Sequence, residues 1–204
     1  FGELTAEPTR FDGYETLSEK AKVLALSDGE ELVDAIATDE AGEVKEGVLV
    51  VLDKTPFYAE MGGQVADHGY LVSGDAKLKV TQVKKTPKGY FVHTCELLDG
   101  TIHVEDEVTA SVDEKRRAAI CRNHTATHLL QKALREVLGE HVHQAGSYQD
   151  DRLTHFDFTH FSAVTPAELA EVERRVNEKI YEALPVTVKN LPIEEAKKLS
   201  LIHI

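Results

Sequence analysis

Apolar and polar positions change rhythm about halfway along the chain. Lys22–Leu26 and Gly47–Leu52 are short apolar runs bounded by charges or turn residues, as strands are. Leu78-Lys79-Val80-Thr81-Gln82-Val83 alternates with period two, the mark of a half-buried strand. Gly89–Cys95 reads as its hairpin partner across Thr86-Pro87-Lys88-Gly89, and Val108–Val112 as the last strand of the series. Short strands at this spacing predict a small barrel or folded sheet over residues 1–110. From Asp113, a candidate N-cap, the period becomes helical: a helix over Glu114–Leu138 carries the stripe Ala119, Ala126, Leu130, Ala133, Leu134 and Val137, with Gly139 at C′.

The remainder reads as an extended segment over Arg152–Phe158, with Thr154, Phe156 and Phe158 on one side. Thr165-Pro166-Ala167-Glu168 is a capping box that opens a helix to about Ala183, its buried stripe being Leu169, Val172, Val176 and Ile180. Val186-Thr187-Val188 reads as a strand, and a short helix runs from Pro192 through Leu199. The predicted class is therefore α+β: a small β-barrel-like domain over 1–110, then a two-layer α+β domain over 111–204.

Composition narrows the partners. The formal net charge of −13 argues against a chain that binds nucleic acid through a broad basic surface. Basic clusters stand at Lys84-Lys85-Thr86-Pro87-Lys88 and Lys115-Arg116-Arg117, and each taken alone reads as a solvated face. No apolar run is long enough to span a membrane. Two cysteines, Cys95 and Cys121, form no close motif, which fits a reducing, cytoplasmic setting. The start at Phe1-Gly2-Glu3-Leu4 reads as the cut edge of a longer protein, and a monomer is expected.

Three motifs carry candidate chemistry. His124 and His128 lie one helical turn apart, about 40° from each other on one face and away from the aliphatic stripe. Such a pair can share a metal ion, but zinc needs three or four protein ligands. The glutamate of a zinc peptidase is absent, since Thr125 and Thr127 stand between the two histidines, and Cys121 is the only nearby sulfur. The second motif is Thr55–Gly69. Its Gly62-Gly63 pair permits either close backbone approach to a ligand or a tight turn between strands, with Thr55, Gln64 and Asp67 as polar neighbours. The third is His141-Val142-His143-Gln144-Ala145-Gly146-Ser147, in which His141 and His143 read as solvated loop residues.

In this order, T-P-F-Y-A-E-M-G-G-Q-V-A-D-H-G, R-N-H-T-A-T-H-L-L, H-V-H-Q-A-G-S and R-L-T-H-F-D-F resemble the editing region of alanyl-tRNA synthetases and their free-standing relatives. The resemblance implies hydrolysis of serine or glycine wrongly esterified to tRNA for alanine. It implies His124 and His128 as zinc ligands and Gln144 as a catalytic-pocket residue. Thr55 and Gln64 would serve beside it, with Gly62, Gly63 and Asp67 at the substrate. The family's remaining zinc ligands, a Cys-x-x-x-His pair, have no counterpart before Ile204, so the resemblance implies an incomplete zinc site and a weak or inactive fragment. ATP and magnesium would belong to an aminoacylation domain elsewhere in the parent. The implied partners are the acceptor end of tRNA(Ala) and the rest of that synthetase. The alternatives are a non-catalytic tRNA-docking module and a free-standing deacylase.

Overall fold

The computed structural model describes residues 4, 6–38, 42–185, 187, 189 and 191–198. They divide into two compact units, Phe1–Ala118 and Ala119–Ile204.

The first unit is all β until its last few residues. Its strands are β1 (Arg10–Phe11), β2 (Ser18–Ser27), β3 (Leu32–Val33), β4 (Ala35–Ala37), β5 (Lys45–Leu52) and β6 (Lys54–Thr55). They continue with β7 (Gly69–Ser73), β8 (Ala76–Lys85), β9 (Phe91–Asp99), β10 (Thr101–His103) and β11 (Glu107–Val112). The order β11-β7-β8-β9-β5-β2 closes on itself because β2 also pairs with β11, from Ser18↔Ser111 to Lys22↔Glu107. The result is a closed antiparallel barrel of six strands, so its interior strands have no open edge. Register shifts at Val23/Ala25, Lys45/Val48 and Val80/Gln82 are the bends that let so few strands curl shut.

Inward alternation fills the barrel. Val23, Val50, Leu71, Leu78, Val80, Cys95, Leu97 and Val108 are fully buried, and Phe57 enters from a loop. Each such side chain contributes about 1.5–3 kcal/mol through removal from water. All five strands expected from the sequence are present, and the β8–β9 hairpin turns where Thr86–Gly89 predicts. Strand β7 was not legible, because Tyr70 and Val72 on its outer side are apolar and exposed, which erases the alternation.

Gly69 marks the tightest approach between strands. A Cβ there would lie 2.0 Å from the Ser111 carbonyl oxygen and 2.9 Å from the Val112 Cα, both in the paired backbone of β11. Gly69→Ala is expected to cost about 2 kcal/mol through overpacking, a fall of roughly 5 °C in Tm for a chain of this size. An unchanged thermal melt would show that β7 and β11 part without penalty.

The second unit takes up α1 (Glu114–Leu138), which begins in the first, and adds β12 (Gln144–Gln149), β13 (Thr154–Phe158), α2 (Pro166–Tyr181) and α3 (Ile193–Lys198). Ala133, Leu134, Val142 and Val172 form its core, with Leu130, Val137, Phe156, Phe158 and Val176 packed around them. Helices thus cover a two-stranded sheet, the expected α+β arrangement. The capping box at Thr165 forms with both of its hydrogen bonds. Gly139 takes φ +117° beyond α1.

One expectation in this unit changes. Leu169 and Ile180 are 53% and 50% exposed, so α2 buries Val172 and half-buries Val176 but leaves the ends of its apolar stripe uncovered by the described residues. Gln144–Gln149 forms a strand that the sequence alone did not assign. Of the expected strand Val186–Val188, Val186 and Val188 lie outside the described residues, as does Leu199 at the end of the last helix. Among the described residues no helix is long and apolar enough to cross a membrane.

Candidate functional site

In the first unit the Thr55–Gly69 motif is a folded excursion from the barrel. Its two arms are joined by Tyr58 and Asp67: the Asp67 amide donates to the Tyr58 carbonyl, and the Tyr58 amide donates to the Asp67 carboxylate at 2.8 Å. At its tip Met61 and Gln64 form an isolated antiparallel bridge around Gly62 and Gly63, whose φ values are +61° and +83°. Two successive left-handed residues make the tight turn that suits a two-residue hairpin. The tip is exposed at Met61 and has open space about Gly62, so the turn explains the glycines and still leaves the backbone accessible.

The polar neighbours of that turn are mostly turned inward. Thr55 is fully buried; its hydroxyl lies 2.8 Å from His93 Nε2 and accepts from the Phe57 amide. Asp67 is fully buried, and its carboxylate receives Arg117 through Nε at 2.9 Å to both oxygens and through Nη2. Arg117 also donates to the carbonyls of Gly13 at 2.7 Å and Pro56 at 3.0 Å. Gln64 is 6% exposed. The expectation that Thr55 and Asp67 present polar groups beside a ligand therefore meets a hydroxyl and a carboxylate committed to the scaffold. Arg117, expected on a solvated basic face, is a buried clamp. It shares a helix face with the fully buried Ile120 three residues on, and that phase was the available signal.

The second unit carries the histidine pair. His124 and His128 stack with ring centroids 5.2 Å apart and planes 8° from parallel, as their spacing on α1 dictates. Partial loss of hydration lowers both imidazole pKa values, and the neighbouring His124 lowers that of His128 further. Both are thus biased toward the neutral form that ligates metal or accepts a proton. The intervening face of α1 is tied to the hairpin: Asn123 donates to the Asp150 carbonyl at 2.7 Å, and the Thr127 and Thr154 hydroxyls share a hydrogen bond.

Gln144 opens β12 beside a register shift between Gln144 and Gly146, and its amide donates to Ser147 Oγ at 3.1 Å. A bulge of this kind re-aims one side chain out of the ladder. Cys121 is exposed and lines, with Thr125, Ala126, Leu129, Ile180 and Leu184, a cleft of about 650 Å³ along α1.

The donor set can be tested against zinc. Two neutral-leaning imidazoles on one helix face are suitable ligands. Among the described residues, however, no group of three or more His, Cys, Asp or Glu side chains is placed to hold a metal ion. Two imidazoles are fewer than the three or four protein ligands that zinc requires.

Residues 2–116 match the family model described as tRNA synthetases class II (A). The chain is 47% identical over 191 residues to the alanine–tRNA ligase of Acetivibrio thermocellus, covering 94% of this chain and 21% of that protein. It is 47% identical over 190 residues to that of Thermoanaerobacter sp., covering 93% and 21%. With that of Bacillus velezensis it shares 45% over 199 residues, covering 97% and 22%. The chain spans about a fifth of the length of the curated relatives it matches.

Proposed function

The chain belongs to the class II (A) tRNA synthetases, and from that premise we propose that it is an editing portion of an alanine–tRNA ligase, acting on the ester between a wrong amino acid and the terminal ribose of tRNA(Ala). The observation that carries the reading is the stacked, neutral-leaning His124/His128 pair in the same compact unit as Gln144. The whole enzyme would attach alanine to tRNA with ATP, a step that draws on none of the residues described above.

The chemical need for such a site is physical. Serine differs from alanine by one hydroxyl, and an apolar pocket rejects an added hydroxyl only weakly. A second, hydrolytic site that rewards the hydroxyl with hydrogen bonds supplies the missing discrimination. Gln144 has both a donor and an acceptor for that hydroxyl or for the ester carbonyl. In the first unit, Gln64 closes the accessible Gly62–Gly63 turn by pairing with Met61. His124 and His128 would hold zinc together with further ligands not found among the described residues. Bound there, zinc would polarise a carbonyl or activate water. This chain's own residues would bind the amino-acid side chain, and partial burial biases the two imidazoles toward the neutral form.

The test is release of serine from seryl-tRNA(Ala), with zinc content measured alongside, in a version extended through the family's Cys-x-x-x-His. His124→Ala is expected to lower both zinc occupancy and serine release by about 100-fold. Serine release that survives this substitution, or equal cleavage of alanyl and seryl esters, would sink the reading. The two-imidazole set favours one further reading for the isolated chain, a tRNA-docking module without hydrolysis. Its signature is tRNA binding with no serine release from the 204-residue chain and none from the extended version.

A further inference from the structure

His141, expected as a solvated loop residue, belongs to a built stack of rings. Its Nε2 lies 2.9 Å from His160 Nδ1, so one imidazole donates and the other accepts. The two rings stack at 5.1 Å, and His141 also stacks on Phe161 at 4.4 Å with planes 23° apart. Phe161 is 86% exposed although two further rings support it. We propose that the His141–His160–Phe161 stack is a platform for an unpaired nucleobase at the acceptor end of tRNA. This rests on the reading that the chain acts on tRNA.

Three features select that occupant. The platform is held in place: Thr159 donates its amide to the His143 carbonyl and its hydroxyl to the His141 carbonyl, and it accepts from the His143 amide. A ring fixed before binding loses little entropy on contact. An exposed aromatic face is what single-stranded RNA binders offer to a base, with no requirement for sequence. The surroundings disfavour a phosphate. Glu168 lies close enough to His160 for their charges to interact, so a carboxylate borders the stack. A planar, uncharged π-face matches the exposed ring. The contact would also answer the acidic net charge of the chain, since stacking needs no basic surface.

The test uses the 204-residue chain and an RNA hairpin with a short unpaired 3′ extension carrying 2-aminopurine, beside a blunt hairpin. The unsubstituted chain and Phe161→Tyr are expected to quench the fluorophore and bind the extended hairpin alike. Phe161→Leu keeps an apolar side chain but removes the π-face. It should weaken that binding about 10-fold and relieve the quenching, with the salt slope unchanged because no phosphate contact is lost. Phe161 is so exposed that neither substitution disturbs the core. Equal binding by Phe161→Leu, or an equal loss on the blunt hairpin, would overturn the platform while leaving the tRNA reading in place. No binding of either RNA by the unsubstituted chain would overturn both.

Discussion

Replacing Asp67 with Ala is expected to remove about 3–5 kcal/mol from the stability of the barrel unit, read as a fall in the urea midpoint. The cause is the charge left behind. Arg117 is nearly as buried as its partner, with side-chain exposures of 10% and 1%, so the guanidinium would remain in a dry site facing two carbonyls. The Tyr58 amide would lose its acceptor as well. Arg117→Ala should cost a similar amount, because it strands the carboxylate and the carbonyls of Gly13 and Pro56 together. Arg117→Lys restores the charge but not the fork, and should recover less than half of the loss. A double change, Asp67→Leu with Arg117→Met, removes both charges and should be milder than either single substitution to Ala. A loss below about 1 kcal/mol in Asp67→Ala would mean that water reaches the pair, as at a surface salt bridge. The same clamp fixes both arms of the Gly62–Gly63 excursion to the start of α1, so these variants should also loosen the turn.

That clamp shows why only part of the molecule is legible in the sequence. Patterns with a local cause came through. The alternation of β8, the helical stripe of α1 with its C′ glycine, and the capping box at Thr165 each depend on residues within a few positions of one another. The stacking of His124 on His128 follows from spacing alone. The pairing of Asp67 with Arg117 spans 50 residues, and closure of the barrel by β2 on β11 spans still more, so neither leaves a local mark. Strand β12 was missed because Gln144-Ala145-Gly146-Ser147 has no apolar alternation; it exists through its ladder with β13. Leu169 and Ile180 carry the right helical phase, but phase says only which face could be buried and not whether a neighbour covers it. At the candidate site, the sequence named residue types suited to an ester and a metal. It could not say that the Thr55 hydroxyl is already committed to a histidine.

That histidine sets the second large effect: stability should fall as pH drops from about 6.5 to about 4, by about 3 kcal/mol from His93 alone. His93 occupies an inward position of β9 in phase with Phe91, Cys95 and Leu97, and is fully buried. The Val50 carbonyl 3.0 Å from Nδ1 can only accept, so Nδ1 carries the proton and Nε2 accepts from Thr55. Phe57 packs edge-on at 5.5 Å. Burial pushes the imidazole pKa from 6.5 down to about 4, against a smaller opposing pull from the Val50 carbonyl. The folded-state pKa is depressed, so the unfolded chain takes up the proton first as pH falls. The contribution is intact above about 6.5, declines through the window, and is lost in full once pH passes below about 4. His124 and His128 shift the same way, whereas burial raises the Glu19 pKa and acts in the opposite sense. The His93 share is therefore isolated as a difference: unfolding free energies of the parent chain and His93→Gln across this window should converge as pH falls. The imidazole resonances of His93 should show no titration above pH 5. A midpoint near 6.5 would mean that the ring is hydrated, and that the hydroxyl of Thr55 is correspondingly available to a ligand.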